Sequence, residues 1–308
     1  MPSQGLVNAV LAELGKNLAA RWLTWVLPSG LLFLAVAGAG RLLGQAHWYE
    51  FGRITRALDE LAGHPASRST GGVVLAASAT LIASAGVGLA AQALGGAVER
   101  CWTGDWPALA RAAERRLAGR RRRRWRAAED AYTAVELRAV ALGTPLDPAT
   151  TADLARHAAA RNRISLEEPV HPCWTGDRVR ALDVRIHRAY RLDLDSAWSR
   201  LWLVLSGETR TELRGARDVY DAAVRLAAWS VPYLLVAVWW WPSALIALGL
   251  AAVGLRRGRT AMDAFAELVE SAVDLHGREL ALALGLSCPD RLDPETGAEI
   301  TALLRKGV

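Results

Sequence analysis

The sequence predicts an all-α integral membrane protein that carries a helical cytoplasmic module. The apolar residues lie in blocks that are long enough to cross a bilayer, although the average composition alone would suit a globular protein. The polar segments between the blocks are rich in arginine and show helical spacing, and alternating strand patterns are hard to find. Three widely spaced cysteines give no disulfide framework, which fits a reducing compartment.

The chain begins with an amphipathic segment that leads into a first predicted span at residues 22–43. Trp22 and Trp25 are expected to anchor this span, because indole rings favour the headgroup level of a bilayer. An Ala-Val-Ala pattern at residues 35–37 leaves a cleaved signal peptide open as an alternative. The loop at residues 44–70 has apolar residues at helical spacing and predicts a helix on the membrane surface.

The second predicted span, residues 71–98, consists almost wholly of small side chains. Small residues let helix backbones approach closely in lipid, so we interpret this span as a packing helix. Its predicted contact residues are Ala83, Gly86 and Gly88. A pore lining is the alternative, but transport sites usually need buried charge or broken helices, and no span contains Asp, Glu, Lys or His.

A polar segment, residues 99–225, follows the second span and carries a dense run of arginines around Trp125. A basic stretch soon after a span marks the cytoplasmic side, which places the loop at residues 44–70 outside. The run is predicted to contact anionic lipid headgroups, since each cation near a membrane contributes about 1 kcal/mol. Nucleic acid and a plain solvated face are the alternatives. The predicted lipid contacts are Arg115, Arg116, Arg120, Arg121, Arg122, Arg123, Arg124 and Arg126.

One pentapeptide, Cys-Trp-Thr-Gly-Asp, occurs twice, at residues 101–105 and 173–177. Both copies precede an arginine-rich helical segment, so each Asp is interpreted as a helix N-cap with the Trp packed behind it. A metal site from Cys101, Cys173 and His171 is a weaker alternative, because it would need a fourth ligand.

The apolar block at residues 226–255 carries no ionisable side chain. A single span would put its central tryptophans near the bilayer midplane beside Pro242, so a helical hairpin with a turn at Trp-Trp-Trp-Pro-Ser is preferred. Each arm is then about 21 to 24 Å long, so the hairpin is expected to be shallow or re-entrant. The arginines that begin at Arg256 place the C-terminus in the cytoplasm. The predicted interface anchors are Trp239, Trp240 and Trp241.

The tail after the block, residues 256–308, is predicted to form helices that pack on the cytoplasmic module. His276 lies near Asp274 and Glu279, but a packed, hydrogen-bonded histidine is favoured over an acid–base group. The predicted packing stripe is Ala261, Phe265, Leu268, Ala272, Leu275 and Leu282.

Two stretches carry a family resemblance: GDRVRALDVRIHRAYRLDLDSAWSRLWLVL and AMDAFAELVESAVDLHGRELALALGL. They resemble a group of multi-pass membrane proteins of Streptomyces-type actinobacteria, over about residues 173–286. The resemblance implies an apolar block between two polar modules. It implies no activity and no site residues.

The sequence contains no GxSxG, HExxH, P-loop or Rossmann glycine pattern. We therefore expect a non-enzymatic membrane-anchored scaffold or sensor, without a cofactor, whose cytoplasmic helices bind a protein partner at the inner leaflet. An oligomeric channel or pore-forming effector is the alternative, and a lipid-acting enzyme ranks last. The predicted parts are residues 1–98 with two spans, 99–225 as the arginine-rich module, 226–255 as the hairpin and 256–308 as cytoplasmic helices, in the cell membrane with both termini cytoplasmic.

Overall fold

The computed structural model describes residues 27–63, 69–141 and 147–305, and every regular element in these ranges is helical. The all-α class is therefore confirmed for the described residues. The N-terminal segment with Trp22 and Trp25 and the predicted break at residues 143–145 lie outside these ranges. The helices are α1 (Leu27–Leu43), α2 (Gly52–Gly63), α3 (Thr70–Thr103), α4 (Arg111–Ala141), α5 (Pro148–Ile164), α6 (Trp174–Tyr190), α7 (Leu194–Val204), α8 (Gly207–Ala228), α9 (Ser230–Val236), α10 (Pro242–Ala283) and α11 (Pro294–Leu304), with a 3-10 turn at Ala108–Ala110.

The chain divides into two compact units, each built from two segments. The first unit comprises Met1–Ala97 and Val224–Leu255, and the second comprises Val98–Ala223 and Arg256–Val308. Helices α5 and α11 of the second unit each begin at a proline that follows an aspartate N-cap. There, Asp147 accepts from the Thr150 N–H at 3.0 Å and Asp293 accepts from the Thr296 N–H at 2.8 Å.

Among the described residues, one helix, α3, is long and apolar enough to cross a membrane. The mean hydropathy of its most apolar window is 2.0, and only 11% of that window is buried within the protein. Helix α1 is also apolar, but its described part is shorter.

The buried face of α3 is a narrow stripe of small residues. Ser84, Gly88, Ala91 and Gly95 are buried along it, at the three- and four-residue steps of one helix face. The Ser84 hydroxyl donates to the carbonyl oxygen of Leu27 at 2.9 Å. This stripe is therefore the surface through which α3 packs within its unit.

The predicted contact residues of α3 were wrong in two of three positions. Gly88 is buried, but Ala83 and Gly86 are exposed, and a methyl group added at Gly86 would meet nothing within 4 Å. Small residues occupy every face of α3, so its sequence carries almost no directional signal for the packing face. The burial pattern, rather than residue size, identifies that face.

The chain reverses direction at residues 237–241, between α9 and α10. The Trp240 N–H donates to the Val236 carbonyl at 3.0 Å, and the Ser243 hydroxyl donates to the Tyr233 carbonyl at 2.6 Å. Further along the two arms, a methyl group added at Gly254 would lie 2.7 Å from the Cβ of Ala227. The arms therefore run antiparallel, in close contact, with the three tryptophans in the turn.

This tryptophan turn is held by the segment that follows α1. Gln45 donates its amide to the carbonyls of Ala237 and Val238, at 3.1 and 2.9 Å, and its amide oxygen accepts from the Trp241 N–H at 3.0 Å. The rings of Trp48 and Trp241 meet edge to face at 5.2 Å. The end of α1 and the tryptophan turn therefore lie at the same end of the first unit.

The core of the second unit lies among α6, α7, α8, α10 and α11. The apolar stretch at residues 199–205 belongs to it, since Leu201 and Leu205 are buried. On α10, Ala261 and Ala272 of the predicted stripe are buried, but Leu275 and Leu282 are exposed, so the stripe was wrong in its C-terminal half. The residues of α10 that enter the core are Ala266, Val269, Ala272, Val273, Leu280 and Ala281.

The contact between the hairpin arms predicts that alanine substitution has different effects on stability at two glycines of α10. Gly254→Ala should lower the free energy of unfolding by about 1–3 kcal/mol, because the added methyl overlaps Ala227. Gly249→Ala meets nothing within 4 Å and should be neutral or stabilising by up to about 1 kcal/mol. Thermal unfolding of the purified chain in detergent measures both. Equal effects would show that the arms are not in contact.

Candidate functional site

The two Cys-Trp-Thr-Gly-Asp segments adopt different structures. The first ends α3: Gly104 has a φ of +98°, and the N–H groups of Gly104 and Asp105 both donate to the carbonyl of Arg100. That arrangement is a helix C-terminal cap, which needs the conformational freedom of glycine. The second segment begins α6, with Cys173 in extended conformation at the N-cap position. One pentapeptide thus ends one helix and starts another.

Both segments lie in the second unit and pack directly against each other. A methyl group added at Gly176 would lie 2.5 Å from the Thr103 carbonyl oxygen, so only a glycine permits this approach. Gly104 in turn packs against the imidazole ring of His171. We call this contact the paired motif, comprising residues 101–105 and 173–177.

The aspartates of the two copies have different roles, and neither is an N-cap. Asp177 lies inside the first turn of α6 and is 2% exposed. Its carboxylate accepts from the backbone N–H groups of Val170 and His171, each at 2.9 Å, and from Arg121 Nη2 at 2.8 Å. Asp105 is exposed, in the loop that follows α3. The N-cap interpretation is wrong because contacts from outside the helix override the local pattern at Asp177.

The tryptophans of the paired motif also differ. Trp102 is buried, contacts the Tyr220 ring edge to face at 6.2 Å, and lies over Gly258. Trp174 is half-buried, with the guanidinium of Arg259 at 4.9 Å from its ring. Both rings therefore join the paired motif to neighbouring helices of the second unit.

Two titratable groups beside the paired motif have raised pKa values. Burial raises the pKa of the Cys173 thiol; Cys101 adds to that rise, whereas Arg121 opposes it. Burial also raises the pKa of Tyr220 well above its ordinary value, and no hydrogen-bond partner of its hydroxyl lies among the described residues. Both groups are accordingly neutral near pH 7.

The described residues around the paired motif do not form a metal site. Within residues 27–63, 69–141 and 147–305, no three His, Cys, Asp or Glu side chains are grouped closely enough to hold a metal ion. His171 packs on Gly104 and donates its backbone N–H to Asp177, so its observed role is structural. His276 likewise contacts Glu279 on its own helix, at 2.5 Å.

A buried cation ties α6 to α10. Arg178 is 3% exposed, and its guanidinium meets Asp263 at 2.6 Å and Glu270 at 3.2 Å. Two carboxylates around one buried guanidinium compensate the cost of removing its charge from water. No local pattern indicates this arrangement, because Arg178 lies about ninety residues from the two carboxylates.

The arginine run of α4 divides into two faces. On the inner face, Arg121 donates to the Ile164 carbonyl as well as to Asp177, and Arg122 donates to the Pro169 carbonyl at 3.2 Å. Trp125 donates its indole N–H to the Ser165 carbonyl at 2.9 Å, and Arg126 pairs with Glu168 at 2.6 Å. Arg121, Arg122 and Arg126 were predicted to contact lipid, but these side chains bind the protein itself.

On the outer face of α4, four arginines surround a glycine. The side chains of Arg115, Arg116, Arg120 and Arg123 are exposed, and with Ala112 and Gly119 they line one open groove. None of the four forms an ion pair with a described carboxylate. We call this surface the arginine groove. Arg124 is exposed too, but it does not line the groove.

A second groove of the same unit is aromatic, and sequence reasoning did not find it. Trp198 and Trp202 of α7 stand 5.9 Å apart and line it together with Phe265 of α10. The Arg214 guanidinium lies 5.3 Å from the Trp202 ring. The aromatic side chains come from α7 and α10, which are distant in sequence, so no local pattern could predict their contact.

Comparison of the chain with protein-family models, with curated proteins and with solved structures finds no significant match. The resemblance over residues 173–286 therefore stays a prediction. The functional argument rests on the geometry of the two units.

The two aspartates of the paired motif provide a matched stability test. Asp177→Ala removes the acceptor for two backbone N–H groups and leaves Arg121 without its carboxylate, so it should cost about 3–5 kcal/mol. Asp105→Ala, at the same place in the other copy, should change stability by less than about 0.5 kcal/mol. Thermal unfolding of the purified chain, with hydrogen exchange over residues 164–180, distinguishes them. Comparable losses for both variants would contradict the assignment.

Proposed function

We propose that this chain is a multi-pass membrane protein, with its first unit in the bilayer and its second unit a helical module that recruits a protein partner at the cytoplasmic surface. The observation that carries the proposal is the apolar outer surface of the first unit. Leu75, Ile82 and Leu248 are exposed to 73%, 72% and 68% respectively. Water-soluble proteins rarely expose large apolar patches, whereas a bilayer would cover these side chains.

The packing inside the first unit supports a lipid environment. Its helices meet through small residues and backbone atoms, at Gly30 against Ser84 and at Gly254 against Ala227. Leu43, Tyr233 and Val236 are buried, but many other large apolar side chains of the unit, such as Leu75 and Ile82, are exposed. Close approach through Gly, Ala and Ser is the usual packing mode of membrane helices.

The two ends of the first unit differ, as the sides of a bilayer do. The tryptophan turn and the segment after α1 lie together, and Trp239 and Trp241 are partly exposed there. Tryptophans at a helix end suit the headgroup level. The opposite end of the hairpin continues into Arg256 and Arg257, a cationic sequence typical of the cytoplasmic side.

Two further features agree with this topology. Helix α2 has no buried residue and exposes Leu58 and Leu61, and Phe51 just before it is exposed as well, which suits a helix lying in the outer interface. Residues 242–255 of α10 span only about 21 Å at 1.5 Å per residue. A hairpin of this length supports the shallow placement proposed for it.

The proposal predicts both membrane embedding and sidedness. The full chain should stay in the membrane pellet after alkaline carbonate washing and dissolve only in detergent, because its apolar surface has no other cover. In intact spheroplasts a membrane-impermeant maleimide should label Ala46→Cys, which lies beside the tryptophan turn. The same reagent should label Gly215→Cys of the second unit only after permeabilisation, with the parent chain as background.

Two results would contradict the proposal. Release of the chain by carbonate would exclude embedding, and labelling of Gly215→Cys in intact spheroplasts would exclude a cytoplasmic second unit. The mass of the purified protein in detergent separates the scaffold from the channel. A symmetric oligomer with conductance in liposomes would favour the channel, whereas a monomer without conductance would exclude it.

A further inference from the structure

We propose that the arginine groove of α4 binds the phosphate of an anionic membrane lipid headgroup, with Gly119 as its floor. The inference deepens the proposed function and rests on it, since it names a ligand for the second unit. It rests on a geometric observation rather than on the number of arginines. Four arginines line the same groove as Gly119, and the guanidinium of Arg123 is the group nearest to that position.

The spacing of these residues makes the groove. Arg115 and Arg116 lie four and three residues before Gly119, and Arg123 lies four residues after it, so all three neighbour Gly119 on the helix surface. A methyl group added at Gly119 would meet only Arg123 Nη1, at 3.9 Å. The Arg123 guanidinium therefore lies over an open floor that an anion of phosphate size can occupy.

Helix packing does not explain the glycine. Glycine is unfavourable inside a helix, and it is retained where a neighbouring backbone or side chain needs the space. At Gly176 and Gly254 that neighbour is present, whereas at Gly119 the space opens only onto the groove. The absence of a side chain at Gly119 leaves this part of the groove open to an anion.

The charges of the groove are uncompensated and repel one another. Arg116 and Arg120 lie four residues apart, and Arg120 and Arg123 three apart, both of them destabilising like-charge spacings on a helix. Arg115 donates to the Arg111 carbonyl of its own helix at 3.4 Å, whereas the inner arginines have carbonyl or carboxylate partners in other segments. An anion bound in the groove would offset the repulsion among the outer arginines.

Phosphate fits this groove better than a carboxylate does. Guanidinium groups bind phosphate oxygens in bidentate pairs, and several can share one phosphate with two negative charges. A phosphomonoester headgroup should therefore bind more tightly than a phosphodiester, and a zwitterionic headgroup least. Nucleic acid is disfavoured, because residues 112–123 cover only about 17 Å of helix and the groove has no aromatic side chain for base stacking.

Adjacent arginines of α4 provide the matched test. The full chain in neutral detergent is titrated with dioleoyl phosphatidic acid, phosphatidylglycerol or phosphatidylcholine, and bound lipid is counted by native mass spectrometry. Arg123→Gln should weaken phosphatidic acid binding about fivefold, the contribution of one cation near a headgroup. Arg124→Gln removes the same charge outside the groove and should change binding less than twofold. Equal losses of binding in the two variants would show that only the total charge of α4 matters, and would overturn the proposal.

The floor of the groove is tested separately. Gly119→Leu should weaken phosphatidic acid binding about tenfold, because the side chain fills the floor, while the thermal midpoint stays equal or rises. Gly215→Leu, at another exposed helical glycine with nothing within 4 Å, should leave binding unchanged. Undiminished binding by Gly119→Leu would overturn the proposal, and the thermal midpoint shows that the variant is folded.

Competition distinguishes the sources of phosphate. Inorganic pyrophosphate should displace phosphatidic acid only at millimolar concentration; tighter pyrophosphate binding would exclude the lipid as the ligand. A single-stranded oligonucleotide that binds more tightly than phosphatidic acid, and loses affinity in Arg123→Gln, would overturn the lipid assignment in favour of nucleic acid. Failure of the proposed function appears instead as carbonate release of the chain, which this titration does not depend on.

Discussion

The fold of the second unit depends on one buried carboxylate, that of Asp177. A buried carboxylate is tolerated only when donors meet its oxygens, and Asp177 receives two backbone N–H groups and one guanidinium. The donors come from residues 170 and 171 and from α4, so one side chain joins three parts of the unit. The rotation of α4 about its own axis is thereby fixed, and with it the direction in which its other arginines point.

The helices of the first unit are held together by close backbone contact rather than by buried charges. Within the described part of the first unit, residues 27–63, 69–97 and 224–255, no ion pair joins one helix to another. Its backbones instead approach at glycine and serine, and a methyl group added at Gly40 would lie only 3.0 Å from the Trp240 Cβ. In lipid, burying apolar surface between helices gains little, so close van der Waals contact has to supply the stability. This mode of contact is the one expected for the first unit if it lies in a bilayer, as proposed above.

Local signals in the sequence predicted some of these features well. Helical spacing and the absence of strand patterns gave the fold class, and proline after three tryptophans marked a turn where the chain does reverse. Features that depend on distant residues escaped prediction. Asp177 has the local pattern of an N-cap, yet its donors come from a preceding loop and from α4. The sequence of α3 has no pattern that indicates its packing face. Ala83 and Ser84, for example, differ little in size, yet Ala83 is exposed and Ser84 is buried.

The arginine run shows why the number of charges in a sequence does not define a binding surface. Successive residues of a helix point about 100° apart, so Arg120 and Arg121 are neighbours in sequence but face different surroundings. Of the eight arginines predicted to contact lipid, Arg121, Arg122 and Arg126 bind the protein, and Arg124 stands apart from the groove. Four remain, and they share one open face with Gly119. Because the buried carboxylate of Asp177 fixes the inner face, it also fixes this outer one, so that folding of the second unit and presentation of its cationic surface depend on the same contact.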